Sequence, residues 1–348
     1  MIKKILAVGL CMVLVILMVS CTDKDQKIDK YATKMDTIMH ITAYGSNASK
    51  AIDAAYKRVD EIEQMASSSI IDSDVTKINN AAGKEYVKVH PEIIKIIKIS
   101  MEYSKLSNGA FDITVSPLVK LWGIGTENER IPTDSEIKQK VALVGYNNIS
   151  INETNNSVKL MKVGMSIDLG GVAKGFTADE IVKVLKKYGV KSAIINLGGS
   201  SIYTLGKKPD NTLWSIGIQH PRKEKNDGYI GIIKMSQNAL STSGDYERFF
   251  IKDGKRYHHI LNPATGYPAD AGVMSDTIVV DSSIADCNML ADILTKVTFV
   301  SGVDKGLKLI DSLSGVSSMA VTTDYKIYKS SKWKTQLDNL SSEFKMVN

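Results

Sequence analysis

Residues 167–180 read IDLGGVAKGFTADE, a strand-like approach that meets two glycines and then a helix. The helix is predicted over residues 173–188 and is closed by Gly189. Its N-terminus exposes backbone N–H groups at the positive end of the helix dipole, and both features suit a phosphate. Lys174 adds a positive charge in the first turn. The stretch is neither a P-loop nor a dinucleotide GxGxxG, and alone it also fits a plain tight turn.

Helices and strands are mixed on both sides of this junction. Helical periodicity predicts further helices over residues 51–65, 91–107, 284–300 and 303–313. Apolar and β-branched runs predict strands over residues 41–45, 192–197, 213–219, 229–235 and 319–328. Because the elements do not follow strict βαβ alternation, we predict an α+β fold, a single large domain with helices packed on mainly antiparallel sheets. We place this domain at residues 35–335, with a C-terminal tail over residues 336–348.

The composition is that of an ordinary globular protein. Of 348 residues, 43% are hydrophobic and 24% are charged, which allows a sizeable core. The formal net charge of +6 comes from basic residues that are spread along the chain. Such a spread is typical of solvated faces with a mild attraction to an anionic ligand or a phospholipid surface, and we expect no nucleic-acid partner.

The N-terminus has the pattern of a bacterial lipoprotein signal. A short basic segment precedes an apolar run over residues 5–19, which is shorter than the roughly 20 residues of a membrane span. The run leads to Met-Val-Ser-Cys, ending at Cys21, which resembles a lipobox. We predict a signal peptide over residues 1–20, lipidation of Cys21 and a flexible tether over residues 21–34, with an uncleaved anchor as the alternative. Either outcome places the body on the extracytoplasmic face of the cell membrane.

Cysteine usage limits the chemistry further. Cys11 lies in the predicted signal and Cys21 would carry lipid, so Cys287 alone remains in the predicted mature chain. This count excludes an intramolecular disulfide and zinc sites built from cysteine pairs.

Two of the five histidines are adjacent, in the stretch HHILNPATGYP at residues 258–268. Adjacent strand residues point to opposite faces, so we expect only one of His258 and His259 to face a site. Histidine is the natural general base near neutral pH. Each of the two, taken alone, also fits a surface histidine beside a loop.

Two other stretches combine small, polar and aromatic residues. STSGDYERFF, at residues 241–250, fits either a loop that wraps a polar ligand or a hairpin turn. FDITVSPLVKLWG, at residues 111–123, contains Phe111 and Trp122, which are residue types found more often in cores than at cofactors. Asp112, next to an aromatic residue at a helix end, is harder to explain as a core residue.

These stretches, together with INLGGS at 195–200 and ADILTKVTFVSG at 291–302, occur in an order that resembles the ApbE flavin transferase family. Met35-Asp36-Thr37 lies where that family usually has Met-Gly-Thr. The resemblance covers the chain from about Lys34 to Tyr328. Six ordered motifs are far more specific than a single glycine pattern, and they imply an ApbE-type, T-fold-like architecture.

The resemblance implies an enzyme that uses FAD as a substrate together with Mg²⁺. Members of the family transfer the FMN part of FAD to a Ser or Thr hydroxyl of an acceptor flavoprotein and release AMP, while some mainly hydrolyse FAD. We therefore expect a FAD:protein FMN transferase whose partner is an exported or membrane redox protein with a Ser/Thr flavinylation motif. The alternatives are an Mg²⁺-dependent FAD pyrophosphatase and a non-catalytic FAD-binding lipoprotein.

The resemblance also implies roles for individual residues. His259 is the implied base, and Asp292 is implied both in catalysis and in metal binding. The residues implied in FAD binding are Met35, Ser69, Ala110, Phe111, Asp112, Asp168, Gly171, Lys174, Ser243, His259 and Thr265. The implied metal ligands are the Ala173 carbonyl, Asp292 and Thr295.

Three positions depart from the family pattern. The metal helix of the family usually reads Asp-Ala-Leu-Ser-Thr, and Lys296 stands where the Thr ligand is expected. Either Thr295, on nearly the same helix face as Asp292, replaces that ligand, or the Lys296 ammonium takes the place of the metal. Ser69 stands where many relatives have a flavin-stacking Tyr, a loss that would favour hydrolysis. Asp36 replaces a Gly, and its carboxylate is unfavourable near a pyrophosphate unless it turns away or meets the metal.

Overall fold

A large, mainly antiparallel sheet organises the fold. The computed structural model describes residues 26–224 and 227–347, so the predicted signal peptide and Cys21 lie outside the described residues. The nine strands of the sheet are, in spatial order, β1 (Lys27–Lys34), β2 (Thr37–Tyr44), β6 (Ala193–Leu197), β7 (Ser201–Leu205), β10 (Asn238–Gly244), β13 (Val273–Asp281), β14 (Val316–Thr322), β15 (Lys326–Lys329) and β17 (Lys345–Met346). Neighbouring strands pair antiparallel, except that β15 and β17 are parallel.

Three small sheets and eight α-helices complete the described part of the chain. The small sheets are β11 (Phe249–Lys252) with β12 (Lys255–His258), then β16 (Leu337–Asp338), β9 (Tyr229–Met235) and β8 (Trp214–Gln219), and finally β3 (Val87–Lys88), β5 (Ser157–Leu160) and β4 (Ile149–Asn152). The helices are α1 (Ala48–Ala66), α2 (Asp74–Asn80), α3 (Pro91–Leu106), α4 (Ser116–Trp122), α5 (Asp134–Val141), α6 (Ala173–Lys187), α7 (Cys287–Ser301) and α8 (Val303–Ser312). Two 3₁₀ turns lie at Ile113–Val115 and Tyr146–Asn148. Across residues 26–224 and 227–347, we find no helix with the length and apolar character that crossing a bilayer requires.

Both faces of the large sheet are covered. One face packs against α1, α6 and α7, in a core that includes Ile41 from β2 and Ile278 from β13. The other face packs against the β16–β9–β8 sheet, where Val279 of β13 and Ile233 of β9 share a second core. Ile278 and Val279 are neighbours that enter opposite cores, as the two-residue period of a strand requires. The predicted α+β fold with helices on a mainly antiparallel sheet is therefore confirmed.

Helices α6 and α7 approach closely because Gly175 faces the backbone of α7. A Cβ atom at residue 175 would lie 2.6 Å from Met289 Cα and would also collide with the Asn288 carbonyl. Asp179, one turn further along α6, accepts hydrogen bonds from the Asn288 and Met289 N–H groups at 3.1 and 2.9 Å. It thereby caps α7 from another helix, since the N-cap residue Asp286 makes no side-chain cap bond.

The elements predicted from sequence periodicity are present, and their ends differ by a few residues. Helix α3 begins at Pro91 as predicted, and β9 occupies the predicted residues Tyr229–Met235. Strand β2 is longer than predicted, because it continues back to Thr37 beside an additional strand.

That additional strand is a correction. The predicted flexible tether is wrong in its second half, because Lys27–Lys34 form the edge strand β1. Two of the lysines that made this segment resemble a tether have partners on α1. Lys30 pairs with Asp53 at 2.6 Å, and Lys34 pairs with Asp60. An edge strand takes its backbone hydrogen bonds from one neighbour and often carries lysines, so its sequence does not read as an apolar strand.

The predicted C-terminal tail is a second correction, because it belongs to the domain where the structure describes it. Leu337–Asp338 pairs with β9, and Lys345–Met346 pairs with β15. Phe344 is buried in the core beneath the β16–β9–β8 sheet. A strand of two residues is too short to show an alternation of apolar and polar residues, so the sequence did not predict these strands.

Gly175→Ala is expected to destabilise the protein by about 1–3 kcal/mol, which is the usual cost of overpacking. Alanine favours a helix more than glycine does, so a net loss would come from the clash with α7. Urea unfolding measures the change in the free energy of unfolding. Gly171→Ala is the matched control, because its Cβ would lie 3.5 Å from the nearest atom, an ordinary contact. If Gly175→Ala is as stable as the parent protein, the contact of α6 with α7 at residue 175 is not tight enough to require glycine.

Candidate functional site

A cavity of about 630 Å³ opens beside the junction at residues 167–180. It collects residues that lie far apart in the sequence. Among the residues implied in FAD binding, catalysis or metal binding, those that line it are Met35, Ser69, Ala110, Phe111, Asp112, Asp168, Gly171, Ala173, Lys174, Ser243, His259 and Asp292. Three other positions that the sequence singled out also line it, namely Asp36, Trp122 and Lys296. Thr265 and Thr295 lie outside its lining, and Cys21 lies outside the described residues.

The glycine junction forms one wall of the cavity and is held by Asp168. Its Oδ1 accepts a hydrogen bond from the Gly170 N–H at 2.6 Å, and its own N–H donates to the Ile113 carbonyl at 2.8 Å. Helix α6 begins at Ala173, and the N-cap residue Val172 has no side-chain acceptor for the helix N–H groups. The Ala173 N–H donates to the Leu169 carbonyl and the Gly175 N–H donates to Asp292 Oδ2, which leaves the Lys174 N–H of the first turn for an anion in the cavity.

Three cationic side chains line the same cavity, namely Lys174, Arg248 and Lys296. Lys296 pairs with Asp292, whereas Lys174 and Arg248 make no ion pair with any residue in the described part of the chain. Side chains of this kind form charge-assisted hydrogen bonds with phosphate oxygens. Six carboxylates also line the cavity, namely Asp36, Glu63, Asp112, Asp168, Glu247 and Asp292. An anionic ligand is therefore favoured beside Lys174 and Arg248 rather than throughout the cavity.

Phe111 and Asp112 lie beside the glycine junction but differ in their contacts. The Phe111 ring is buried and would lie 3.5 Å from a Cβ at Gly171. Asp112 accepts hydrogen bonds from the Thr114 N–H and hydroxyl at 2.8 and 2.7 Å, and from the Tyr146 N–H at 2.9 Å. Burial raises the pKa of Asp112, and these hydrogen bonds oppose that shift. Asp112 thus holds the loop that presents Phe111, and its contact with a ligand stays a prediction.

The two adjacent histidines point in opposite directions. His258 is buried, where its Nε2 donates to the Ala269 carbonyl at 2.9 Å and its ring packs edge-on against Phe299. His259 lines the cavity, and its Nδ1 donates to the Arg248 carbonyl at 3.2 Å. Because a carbonyl only accepts, this bond places the imidazole proton on Nδ1 and leaves a lone pair on Nε2.

The surroundings of His259 keep its ring neutral. Burial, together with the nearby Arg248 and His258, lowers the pKa of His259 to about 3. A neutral imidazole with a free Nε2 is the form that accepts a proton. The structure therefore places His259, rather than His258, in the cavity with a ring nitrogen that can accept a proton.

The carboxylate of Asp292 already has hydrogen-bond donors on both oxygens. Oδ1 accepts from the Lys296 ammonium, and Oδ2 accepts from the Gly175 N–H at 3.0 Å. The Thr295 hydroxyl donates to the Asp292 carbonyl at 2.8 Å and lies 2.8 Å from the Ser243 hydroxyl. Within residues 26–224 and 227–347, no group of three or more His, Cys, Asp and Glu residues could hold a metal ion. Because the Lys296 ammonium and the Gly175 N–H occupy both carboxylate oxygens, the arrangement around Asp292 does not favour a bound Mg²⁺.

The remaining predicted positions are exposed. Ser69 is exposed just beyond the end of α1, where it lines the cavity without a ring to stack on a ligand. Asp36 is exposed in the β1–β2 turn with a φ of 56°, a left-handed conformation that glycine adopts more easily. Thr265 is exposed in the turn after β12, where the adjacent Gly266 carbonyl accepts from the Trp122 indole at 2.8 Å. That turn supports the wall of the cavity from behind.

Several lining residues had no predicted role, namely Thr37, Glu63, Gly198, Ser200 and Arg248. Gly198, Ser200 and Arg248 belong to the motifs INLGGS and STSGDYERFF, which pointed to a site without assigning them. The sequence around Glu63 contains no motif that predicts a place in the site. The Glu63 Oε1 accepts from the Met35 N–H at 2.9 Å and fixes the β1–β2 turn across a separation of 28 residues.

Cations, a glycine junction and an aromatic ring around one cavity of an α+β protein suit a phosphate-containing aromatic ligand. Comparison with known families identifies the group to which this protein belongs. The model of the ApbE family matches residues 35–320. The chain belongs to the ApbE family, and the resemblance seen in its motifs is confirmed.

Known relatives are similar along most of their length. The FAD:protein FMN transferase of Klebsiella pneumoniae is 33% identical over 293 residues, which cover 84% of this chain and 89% of that protein. The crystal structure of the ApbE protein of Thermotoga maritima matches with a TM-score of 0.80 and 32% identity, over 89% of this chain and 98% of that one. The flavin transferase ApbE of Vibrio cholerae has a TM-score of 0.79 and 26% identity over the same shares.

In the ligand-free protein, His259 is expected to stay neutral down to about pH 5, because its pKa lies far below the ordinary value of about 6.5. Arg248→Met removes a cation that disfavours the imidazolium, so the pKa of His259 should rise. NMR of the imidazole nitrogens as a function of pH measures the pKa of His259 in the parent protein and in Arg248→Met. The His259→Gln variant assigns the signal.

Lys252→Met, which removes an exposed cation of β11, is the control for this titration and should leave the pKa in place. A His259 ring that titrates near 6.5 in the parent protein would contradict the described surroundings of the imidazole.

Proposed function

We propose that this protein is a FAD:protein FMN transferase, which moves the FMN part of FAD to a Ser or Thr hydroxyl of an acceptor flavoprotein and releases AMP. The observation that carries the proposal is the cavity in which His259 presents a free Nε2 near Lys174 and the glycine junction. Transfer of FMN from FAD is also the activity in the names of its relatives.

The residues fit a displacement at the FAD pyrophosphate. His259 Nε2 accepts the proton of the acceptor hydroxyl as the hydroxyl oxygen attacks the FMN phosphorus. A new P–O bond forms, the bond from that phosphorus to the bridging oxygen breaks, and AMP leaves with the bridging oxygen. Lys174, Arg248 and the N-terminus of α6 stabilise the negative charge on the phosphate oxygens.

Magnesium, which the resemblance implied, stays a prediction. The donors around Asp292 do not favour it, because the Lys296 ammonium and the Gly175 N–H occupy the carboxylate oxygens. Each step of the proposed displacement is therefore assigned to side chains and backbone of this chain.

A second activity is favoured by the rim of the cavity. Ser69 is exposed there and has no ring that would cover a bound flavin. Water can then reach the pyrophosphate from this side and replace the acceptor hydroxyl. Hydrolysis of FAD to FMN and AMP is expected as a slower reaction of the same site.

The proposed location is the extracytoplasmic face of a bacterial cell membrane, with a lipid anchor at Cys21. The lipobox-like sequence before Cys21 supports this location. Because β1 begins at Lys27, only residues 22–26 separate the proposed anchor from the fold. Even fully extended, five residues reach about 18 Å, so the start of β1 would stay close to the membrane surface. An exported or membrane redox protein is the acceptor that this position suits.

His259→Ala is expected to lower FMN transfer by at least about 10²-fold, the usual contribution of a general base, while FAD binding is kept. The protein is incubated with FAD and a candidate acceptor, and flavin fluorescence is measured on the denatured acceptor. His40→Ala, on β2 and outside the cavity lining, is the matched control. Normal turnover by His259→Ala would remove this residue from the mechanism.

The same assay separates the alternatives. Flavin that stays on the denatured acceptor identifies a transferase. FMN and AMP formed without an acceptor identify a hydrolase. Bound FAD without either product identifies a binding protein and would refute the proposed transfer.

Cys21→Ala is expected to prevent incorporation of labelled fatty acid and to move most of the protein out of the membrane fraction. Lipid attached at Cys21 would be the main hold on the membrane if the signal is cleaved there. Labelling followed by fractionation measures both effects. If the variant stays in the membrane with its signal uncleaved, the alternative of an N-terminal anchor is correct.

A further inference from the structure

Lys296 and Asp292 face each other one helical turn apart on α7. The Lys296 ammonium donates to Asp292 Oδ1 and, at 2.7 Å, to the Asp292 carbonyl. The Asp292 side chain is 2% exposed and the Lys296 side chain is 20% exposed, so the pair is largely removed from water while both residues line the cavity. Hydrogen bonds between charged groups in such surroundings fix the position of the ammonium.

The Lys296 side chain also reaches the glycine junction. A Cβ placed on Gly171 would lie 3.8 Å from Lys296 Cε. Burial lowers the pKa of Lys296, the Asp292 carboxylate opposes that shift, and the charge of Lys174 adds to it. The positive charges of Lys296 and Lys174 therefore both lie at the wall of the cavity that the N-terminus of α6 forms.

An ammonium at this position competes with a divalent cation. It has three N–H donors and no lone pair, so it cannot be a metal ligand, and its charge repels a second cation at the same carboxylate. Two of its donors are used on Asp292. The third remains for a ligand oxygen, and an oxygen of a pyrophosphate combines the required acceptor with a negative charge.

We propose that Lys296 is a built-in cation that replaces a bound divalent ion at the pyrophosphate of FAD, so that this protein binds the dinucleotide without Mg²⁺. The identity of the ligand rests on the proposed function. Asp292 is then a positioning residue that orients the ammonium. Thr295 has no part in binding a metal, because its side chain is buried outside the cavity lining, where its hydroxyl donates to the Asp292 carbonyl and contacts Ser243.

Binding of FAD, followed by flavin fluorescence in chelator and in Mg²⁺, tests the proposal. The wild-type protein should bind FAD equally well in both media. Lys296→Met keeps the length of the side chain and should weaken binding about tenfold to a hundredfold in both, the effect of losing one hydrogen bond to a charged group. Lys296→Thr should bind weakly in chelator and recover with Mg²⁺, because it removes the repelling charge and adds a hydroxyl ligand.

Lys305→Thr, which changes an exposed lysine of α8, is the control and should leave FAD binding unchanged. Thermal melts of all variants show whether each one folds. An unchanged FAD affinity in folded Lys296→Met would overturn the proposal.

Binding of Mn²⁺ alone, followed by electron paramagnetic resonance, gives a readout without FAD or turnover. Mn²⁺ is expected to bind Lys296→Thr and not the wild-type protein. Tight binding of Mn²⁺ at this site in the wild-type protein, or loss of FAD affinity in chelator, would refute the role of Lys296. A wild-type protein that binds FAD without metal but never modifies an acceptor would refute the proposed transfer and leave the role of Lys296 standing.

Discussion

The close approach of α6 and α7 at Gly175 is the contact on which both the fold and the cavity depend. A side chain at this position would push against Met289 and Asn288, so only glycine lets the two helices meet. The Gly175 N–H then reaches Asp292 across 117 residues of sequence, and Asp179 caps the first turn of α7. These bonds fix the register of the two helices.

That register determines the electrostatics of the cavity. It brings the N-terminus of α6, where the Gly175 N–H donates to Asp292, to the same wall as the Asp292–Lys296 pair and the Lys174 side chain. Asp292 balances one positive charge and leaves the others without partners. Unbalanced cations in a partly dry cavity are unfavourable by themselves, and a bound anion relieves that cost. The part of the site beside Lys174 and Arg248 is thus complementary to a negatively charged group of a ligand.

Features that depend on neighbouring residues could be predicted from the sequence. Features that depend on residues far along the chain could not. Helix α3 starts at a proline and has an apolar face, so its bounds follow from nearby residues. Strand β1 resembled a tether because the carboxylates that pair with Lys30 and Lys34 lie on α1, distant in sequence. The strand period predicted that one of His258 and His259 faces the site, but the choice depends on the Ala269 carbonyl, eleven residues away. The pairing of Lys296 with Asp292 follows from helical spacing, whereas the contact of Gly175 with α7 required the fold.

The low pKa of His259 connects this electrostatics to the proposed chemistry. In the free cavity, burial and neighbouring positive charge disfavour the imidazolium, so the ring is neutral but weakly basic. A pyrophosphate bound at the same wall brings negative charge that opposes the repulsion from Arg248 and Lys174, and it therefore raises the pKa of His259. The imidazole becomes a stronger base only when the substrate is in place. A single charge on Lys296 neutralises less of the pyrophosphate than a divalent ion would, which leaves more of its negative field to act on His259.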